Sequence, residues 1–325
     1  MTLKFAINEF IGNITVTDKQ EESIDASYNN LCKHLTNEES NLSVKEVFLN
    51  GSYVRDTMIK PLDDIDVFAV IDKDDYNDNG TRPNPQTVLT KFKNYLNGLN
   101  DYKDKVSQSR PCVTITLSKI HIDVLPALRE HDSLYIPNES LSGWILTDPK
   151  THTQNIKTAS KNSSGMIKDV IKAVKSWKKD HEYKIPSFHV EEVAINIFNA
   201  YSYQSVEEGI RKWFTKAKYY ISKERFNSGT QYDDTIDAVK EVAKQLEEAR
   251  RKDDDKKTSE AIRIWHDIFG PKFPTISKDE AKEIGAKLSE GTLSVNGNQK
   301  CSDFGNSECS IFGIKTTVLL ASAVQ

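Results

Sequence analysis

This 325-residue chain lacks most of what a membrane protein, a secreted protein or a nucleic-acid-gripping protein needs. No apolar run approaches the roughly 20 residues of a spanning helix, so no transmembrane segment is expected. The opening MTLKFAINEF has no basic end followed by an apolar core, so it does not read as a secretory signal. Its four cysteines, Cys32, Cys112, Cys301 and Cys309, form no CxxC pair, and no Cys/His cluster has zinc spacing. Free thiols in a reducing compartment follow, and with them a cytoplasmic location. There is no basic excess either: 44 Lys and Arg against 48 Asp and Glu give a net charge of −4. A protein whose main task is holding a phosphate backbone would usually carry the opposite balance, so no stable nucleic-acid partner is expected. No internal repeat is visible. What remains, 37% apolar and 9% aromatic residues, suffices for a real core and excludes a wholly disordered chain. The length argues for about two domains at roughly 150 residues each.

Along the chain, a polar lead is followed by a capping box, Thr17-Asp18-Lys19-Gln20, that opens a helix with Ile24, Tyr28, Leu31 and Leu35 on one side. Lys45–Asn50 reads as a short strand running into Gly51-Ser52. Asp66–Ile71 reads as a second strand, apolar nearly throughout and so covered on both faces. Residues 72–86 form an exposed loop, and a helix follows with Val88, Leu89, Phe92, Tyr95, Leu96 and Leu99 inward. Val113, Ile115 and Leu117, then Ile120, Ile122 and Val124, alternate on either side of Ser118-Lys119 and read as a hairpin. From about 165 the apolar period lengthens to that of helices, expected over 166–181, 189–203, 205–222, 229–251, 258–269 and 277–289. The expected layout is a mixed α/β lobe with an N-terminal helix over 1–160, a helical lobe over 161–290 and a tail over 291–325.

The chemistry concentrates in EVFLNGSYVRDTMIKPLDDIDVFAVI, residues 46–71. Strand alternation puts Asp64 and Asp66 on one face while Ile65 and Val67 enter the core. Two carboxylates held together repel, and the usual reason to keep them is a divalent metal, most often Mg²⁺, which takes hard oxygen ligands. Gly51 has no side chain to hold backbone amides away from a phosphate, Ser52 adds a hydroxyl, and the helical turn behind them favours anions. Two metals about 4 Å apart need a third carboxylate. In KIHIDVLP, Asp123 lies opposite the Ile120, Ile122, Val124 face and is the candidate.

These residues resemble the DNA polymerase β-like nucleotidyltransferases, whose pattern is an apolar residue, Gly-Ser, a spacer, Asp-apolar-Asp-apolar and a later strand acid. Here Leu49, Asn50, Gly51-Ser52, eleven residues and Asp64-Ile65-Asp66-Val67 fit, with Asn50 the odd member. Within that superfamily the chain is similar to the cGAS/DncV-like group (CD-NTases). The similarity rests on residues 51–57 (GSYVRDT), the Ile59–Asp63 lead-in, Asp123-Val124-Leu125-Pro126-Ala127, 144–150 (WILTDPK), Lys175-Ser176-Trp177, 187–191 (SFHVE) and 265–274 (WHDIFGPKFP), and spans about 5–275. It implies an α+β fold: a polymerase β-like lobe with a mixed or antiparallel sheet, then an α-helical lobe, with the active site in the cleft between them. It implies two Mg²⁺ ions, with Mn²⁺ able to substitute, on Asp64, Asp66 and Asp123. It also assigns Lys175 and Ser187 to the nucleotide triphosphate and Phe188, where the family commonly has Tyr, to stacking on a base. The implied enzyme is a bacterial cyclic oligonucleotide synthase for anti-phage (CBASS-type) signalling. Its partners would be NTPs, ATP among them, a separate effector that responds to the product, and a regulatory protein.

Taken singly, several of these residues have plainer readings. Lys175 lies among Lys168, Lys172, Lys178 and Lys179, a solvated face by composition. Ser187 is an ordinary N-cap and Phe188 an ordinary core residue. His121 and His189 read as hydrogen-bonded structural histidines, 250–257 as a solvated charge run, and Trp265, Ile268 and Phe269 as core. Two other functions stay open: a template-independent nucleotidyltransferase acting on RNA ends or a protein, and an inactive nucleotide-binding regulator.

Overall fold

The computed structural model describes residues 1–62, 64–76 and 81–275, and four short strands beyond them. The chain opens with α1 (Leu3–Ile14), capped by the Thr2 side chain on Phe5 N. The lead before Thr17, read as polar, is therefore an amphipathic helix: Leu3, Ala6, Ile7, Phe10 and Ile14 recur at helical spacing and are buried. The capping box at Thr17 opens α2 (Asp18–Leu35) as expected, with the Gln20 side chain accepting from Thr17 N at 3.0 Å.

One seven-stranded mixed sheet follows, built from β1 (Val44–Asn50), β2 (Asp64–Asp72), β3 (Val106–Ser109), β4 (Cys112–Thr116), β5 (His121–Glu130), β6 (Ser133–Pro137) and β7 (Trp144–Thr147). Its order is β1-β2-β5-β4-β3, and β6 joins β5 to β7. Only β2 and β5 run parallel; every other pair is antiparallel. The hairpin around Ser118-Lys119 is present, Leu117 N donating to Ile120 O. Helices α2 and α4 (Pro85–Gly98) cover one face, where Ile65, Val67, Ala69 and Ile71 pack with Leu31, Leu35, Phe92 and Leu96. On the other face Phe68, Val70, Leu125 and Ala127 form a small apolar patch at one end of the strands. Strand alternation puts Asp64, Asp66 and Asp123 on that same face, at the opposite end.

Helices then dominate: α5 (Pro149–Asn162), α6 (Met166–Asp180), α7 (Ser187–Ala200), α8 (Val206–Ala217), α9 (Gly229–Asp254) and α10 (Thr258–Phe269). Helical period begins at Pro149, earlier than the sequence pattern led us to expect, because α5 buries only Pro149, Ile156 and Ala159 and its stripe is weak. The shared core holds Trp177, Trp213, Phe214, Trp265 and Phe269, and α1 packs here and not on the sheet. Trp265, Ile268 and Phe269 are core as expected, and 250–257 spans the exposed end of α9 and the turn before α10. The 277–289 helix lies outside the described residues. Of the 291–325 tail, the described parts are two antiparallel pairs, β8 (Leu293–Val295) with β9 (Cys301–Asp303) and β10 (Glu308–Ile311) with β11 (Ile314–Thr317). No helix among the described residues is long and apolar enough to cross a membrane.

Candidate active site

Strand β1 delivers its last residue, Asn50, opposite Asp66 of β2. The chain then turns through α3 (Gly51–Val54), a single turn with Gly51 at φ +75°. A Cβ at Gly51 would lie 1.8 Å from Asp66 Oδ2 and 2.8 Å from its Cγ. Glycine is therefore required here twice, for the left-handed backbone and for the Asp66 carboxylate that occupies the space of a side chain.

The parallel pairing of β2 and β5 sets Asp64 beside His121 and Asp66 beside Asp123. All three carboxylates thus come to one end of one sheet face. Asp123 is held from the next strand as well, because Thr114 Oγ1 donates to its Oδ1 at 2.5 Å. Burial pushes the Asp66 carboxyl up to about 6; the neighbouring Asp123 and Asp64 add to the rise while the Arg55 guanidinium opposes it. Asp123 is raised too, by burial first, with the Thr114 hydrogen bond pulling the other way. The Cys112 thiol, pushed up to about 12 chiefly by burial, also feels Asp123, Asp66 and Asp64.

Among the described residues no three His, Cys, Asp or Glu side chains close around a preformed metal cage. The donor set nevertheless fits a divalent cation: three carboxylates, hard oxygen donors throughout, two of them with depressed acidity and all three facing one way.

Ser52, Lys175 and Ser187 line one pocket of about 370 Å³ together with Lys178, Lys179 and Lys184. Three expected phosphate contacts thus meet from three separate segments. The lysines of α6 do not form a solvated face, however. Lys172 and Lys175 are buried, Lys172 Nζ 2.8 Å from Asp56 Oδ1 and Lys175 Nζ 2.6 Å from Glu191 Oε1. Phe188 stands in a neighbouring pocket of about 580 Å³ with His152, Asn155 and Arg225. The His152 ring meets it edge-on at 4.5 Å, and the Arg55 guanidinium lies 5.8 Å from its centroid. His189 is structural: its Nε2 accepts from Ser222 N at 2.9 Å, which leaves Nδ1 to donate to Glu192 at 2.9 Å. His121 is exposed, with Nδ1 3.3 Å from Thr116 Oγ1.

Sequence reasoning missed Thr114, Arg55, Thr57 and Glu191. Thr114 had a signal, since a two-residue turn at Ser118-Lys119 already sets residue 114 across from residue 123, as the structure has it. The other three lie within the stretches 51–57 and 187–191, but nothing local marks their role, because they meet only when the lobes pack.

A Gly-Ser turn against three carboxylates on the two parallel strands of a mixed sheet, faced by a helical lobe, is the arrangement of a nucleotidyltransferase. Residues 1–160 match the sequence profile of the Second Messenger Oligonucleotide or Dinucleotide Synthetase domain. The chain is 25% identical over 326 aligned positions to a probable cyclic nucleotide synthase of Bacillus cereus (strain VD146), covering 84% of this chain and 98% of that one. It is 24% identical to the cyclic AMP-AMP-AMP synthase of an Acinetobacter species, covering 70% of this chain and 72% of that one. Its fold matches CdnC of E. coli MS115-1, solved in complex with HORMA-deltaN, with a TM-score of 0.67 at 16% identity over 83% of this chain and 98% of that one. Together these similarities support a cGAS/DncV-like nucleotidyltransferase.

Proposed function

We propose that this enzyme joins nucleoside triphosphates into a cyclic oligonucleotide, releasing pyrophosphate at each bond. One observation carries the reading: Asp66 fills the space a side chain at Gly51 would need, which ties the phosphate turn to the carboxylate face. Asp64, Asp66 and Asp123 would hold Mg²⁺, as two ions and replaceable by Mn²⁺; when bound, the metal offsets the charge on the entering and leaving oxygens of an in-line displacement. The protein's own part is positioning. Gly51 and Ser52 let the backbone approach the phosphates, and Lys175, Lys178, Lys179 and Ser187 surround the polyphosphate. Phe188 offers a ring face to a base. Thr114 occupies one oxygen of Asp123, which leaves Oδ2 to take the proton of the attacking ribose hydroxyl. In each round a ribose oxygen bonds the α-phosphorus, the α–β bridging bond breaks, and pyrophosphate departs.

Within this reading 1–160 is the catalytic lobe, 161–290 the helical lobe that closes on the substrate, and 291–325 a tail. The Acinetobacter relative, named for an all-adenine product, supports ATP as a substrate. The product would act on a separate effector in bacterial anti-phage signalling in the cytoplasm, and the CdnC complex supports a regulatory protein partner. The test is incubation with Mg²⁺ and labelled NTPs. Small, phosphatase-resistant products are expected. A chelator, or Asp64→Ala with Asp66→Ala, should abolish them. Linear tails on added RNA alone would overturn the reading in favour of an RNA-end enzyme, and full activity of the double variant would refute the carboxylate assignment.

A further inference from the structure

Beside the carboxylate face, a knot of buried charge joins the two lobes at one residue. Glu191 of α7 is 1% exposed and accepts three hydrogen bonds: Lys175 Nζ and Thr57 Oγ1 on Oε1, each at 2.6 Å, and Arg55 Nε on Oε2 at 2.7 Å. All three donors are buried, Arg55 at 7%, Lys175 at 3% and Thr57 at 0% exposure. They come from two parts of the candidate site. Arg55 and Thr57 close the turn begun by Gly51 and Ser52, and Thr57 N donates to Ser52 O at 2.9 Å. Lys175 comes from α6, and its Nζ also donates to Thr57 O at 3.1 Å. Glu191 itself lies one helical turn after Ser187 and Phe188.

We infer that Glu191 is a positioning residue for the transfer reaction: one carboxylate that fixes the Gly51–Thr57 turn, Lys175 and the Ser187 end of α7 in a single frame around the triphosphate. The placement of the cluster supports this role: Thr57 and Lys175, both bonded to Glu191, line the same pocket as Ser52, Ser187, Lys178 and Lys179. The same bonds make the frame cooperative: loss of Glu191 releases the turn and the lysine together, while Asp64, Asp66 and Asp123 stay on the sheet.

The inference rests on the nucleotidyl-transfer reading above, and the test separates the two. Full-length wild type, Glu191→Gln and Thr57→Val are compared for thermal midpoint, for binding of a non-hydrolysable ATP analogue, and for KM and kcat in the product assay. Thr57→Val keeps the shape of the side chain and removes only its hydroxyl, so it stays informative if Glu191→Gln fails to fold. For Glu191→Gln we expect nucleotide affinity and KM to worsen by about tenfold or more, with kcat at saturating substrate falling by much less. Thr57→Val should shift KM in the same direction by about threefold to tenfold. A folded Glu191→Gln, or in its absence a Thr57→Val, with analogue affinity and KM within about twofold of wild type would overturn the inference. So would a loss confined to kcat. A wild type that neither binds the analogue nor forms product would instead overturn the nucleotidyl-transfer reading.

Discussion

Gly51→Ala is the smallest change that strikes the centre of this account. The added methyl would stand 1.8 Å from Asp66 Oδ2, 2.8 Å from Cγ and 3.2 Å from Cβ, so the carboxylate must retreat by roughly 1.5 Å to reach ordinary contact. The backbone adds its own cost, about 1–2 kcal/mol for an L residue held in the left-handed region. That is a modest loss for a domain of this size, a few degrees in thermal midpoint. The functional loss should be far larger, because misplacing a reacting group by about 1 Å can cost on the order of a hundredfold in rate. Pyrophosphate release from ATP, measured beside a melting curve, separates the two effects. Near-wild-type folding with activity down about a hundredfold is expected. A folded Gly51→Ala variant within about threefold of wild type would refute the argument that the turn and Asp66 form one device.

Three further outcomes follow from the same geometry. Asp66 is raised to about 6, so the metal-free folded state binds this proton more tightly than the unfolded chain does. Its ionised form is then destabilising above pH 6, and that cost fades as pH falls toward the ordinary 3.8. Asp66→Asn in chelator should therefore stabilise at pH 8 by on the order of 2–3 kcal/mol and not at pH 4; equal midpoints at pH 8 would contradict the burial argument. Thr114→Val removes the donor that fixes Asp123 and should lower kcat about tenfold with little change in KM; an unchanged kcat would separate Thr114 from the chemistry. Lys178→Ala with Lys179→Ala should raise KM for NTPs severalfold and weaken its salt sensitivity, read from initial rates at two ionic strengths.

What could be read in the sequence was what is local. The Thr17 capping box, the two-residue turn at Ser118-Lys119 and the Asp-Ile-Asp-Val alternation each specify their structure within a few residues, and the structure has all three. The Gly51-Ser52 turn was legible as well, but not its reason, because the Asp66 carboxylate that excludes a Cβ is brought there by the β1–β2 pairing. Helix α1 was not legible: its stripe of Leu3, Ala6, Ile7, Phe10 and Ile14 is short, and it is buried mainly by α6, α8 and α10, more than 100 residues away. The lysines of α6 misled in the other direction. By composition they make a solvated face, and only tertiary packing supplies Asp56 and Glu191 to bury Lys172 and Lys175 beside.

The central claim is that three sheet carboxylates and a Gly-Ser turn make a second messenger from NTPs. A mass spectrum of the products formed by the full-length protein from NTPs and Mg²⁺ tests it most directly. The account predicts a small oligonucleotide whose mass equals the sum of its nucleoside monophosphates less one water for each bond of a closed ring, resistant to phosphatase. Linear species that keep a 5′-triphosphate as the only products, or no product from any NTP mixture by a folded protein, would contradict it.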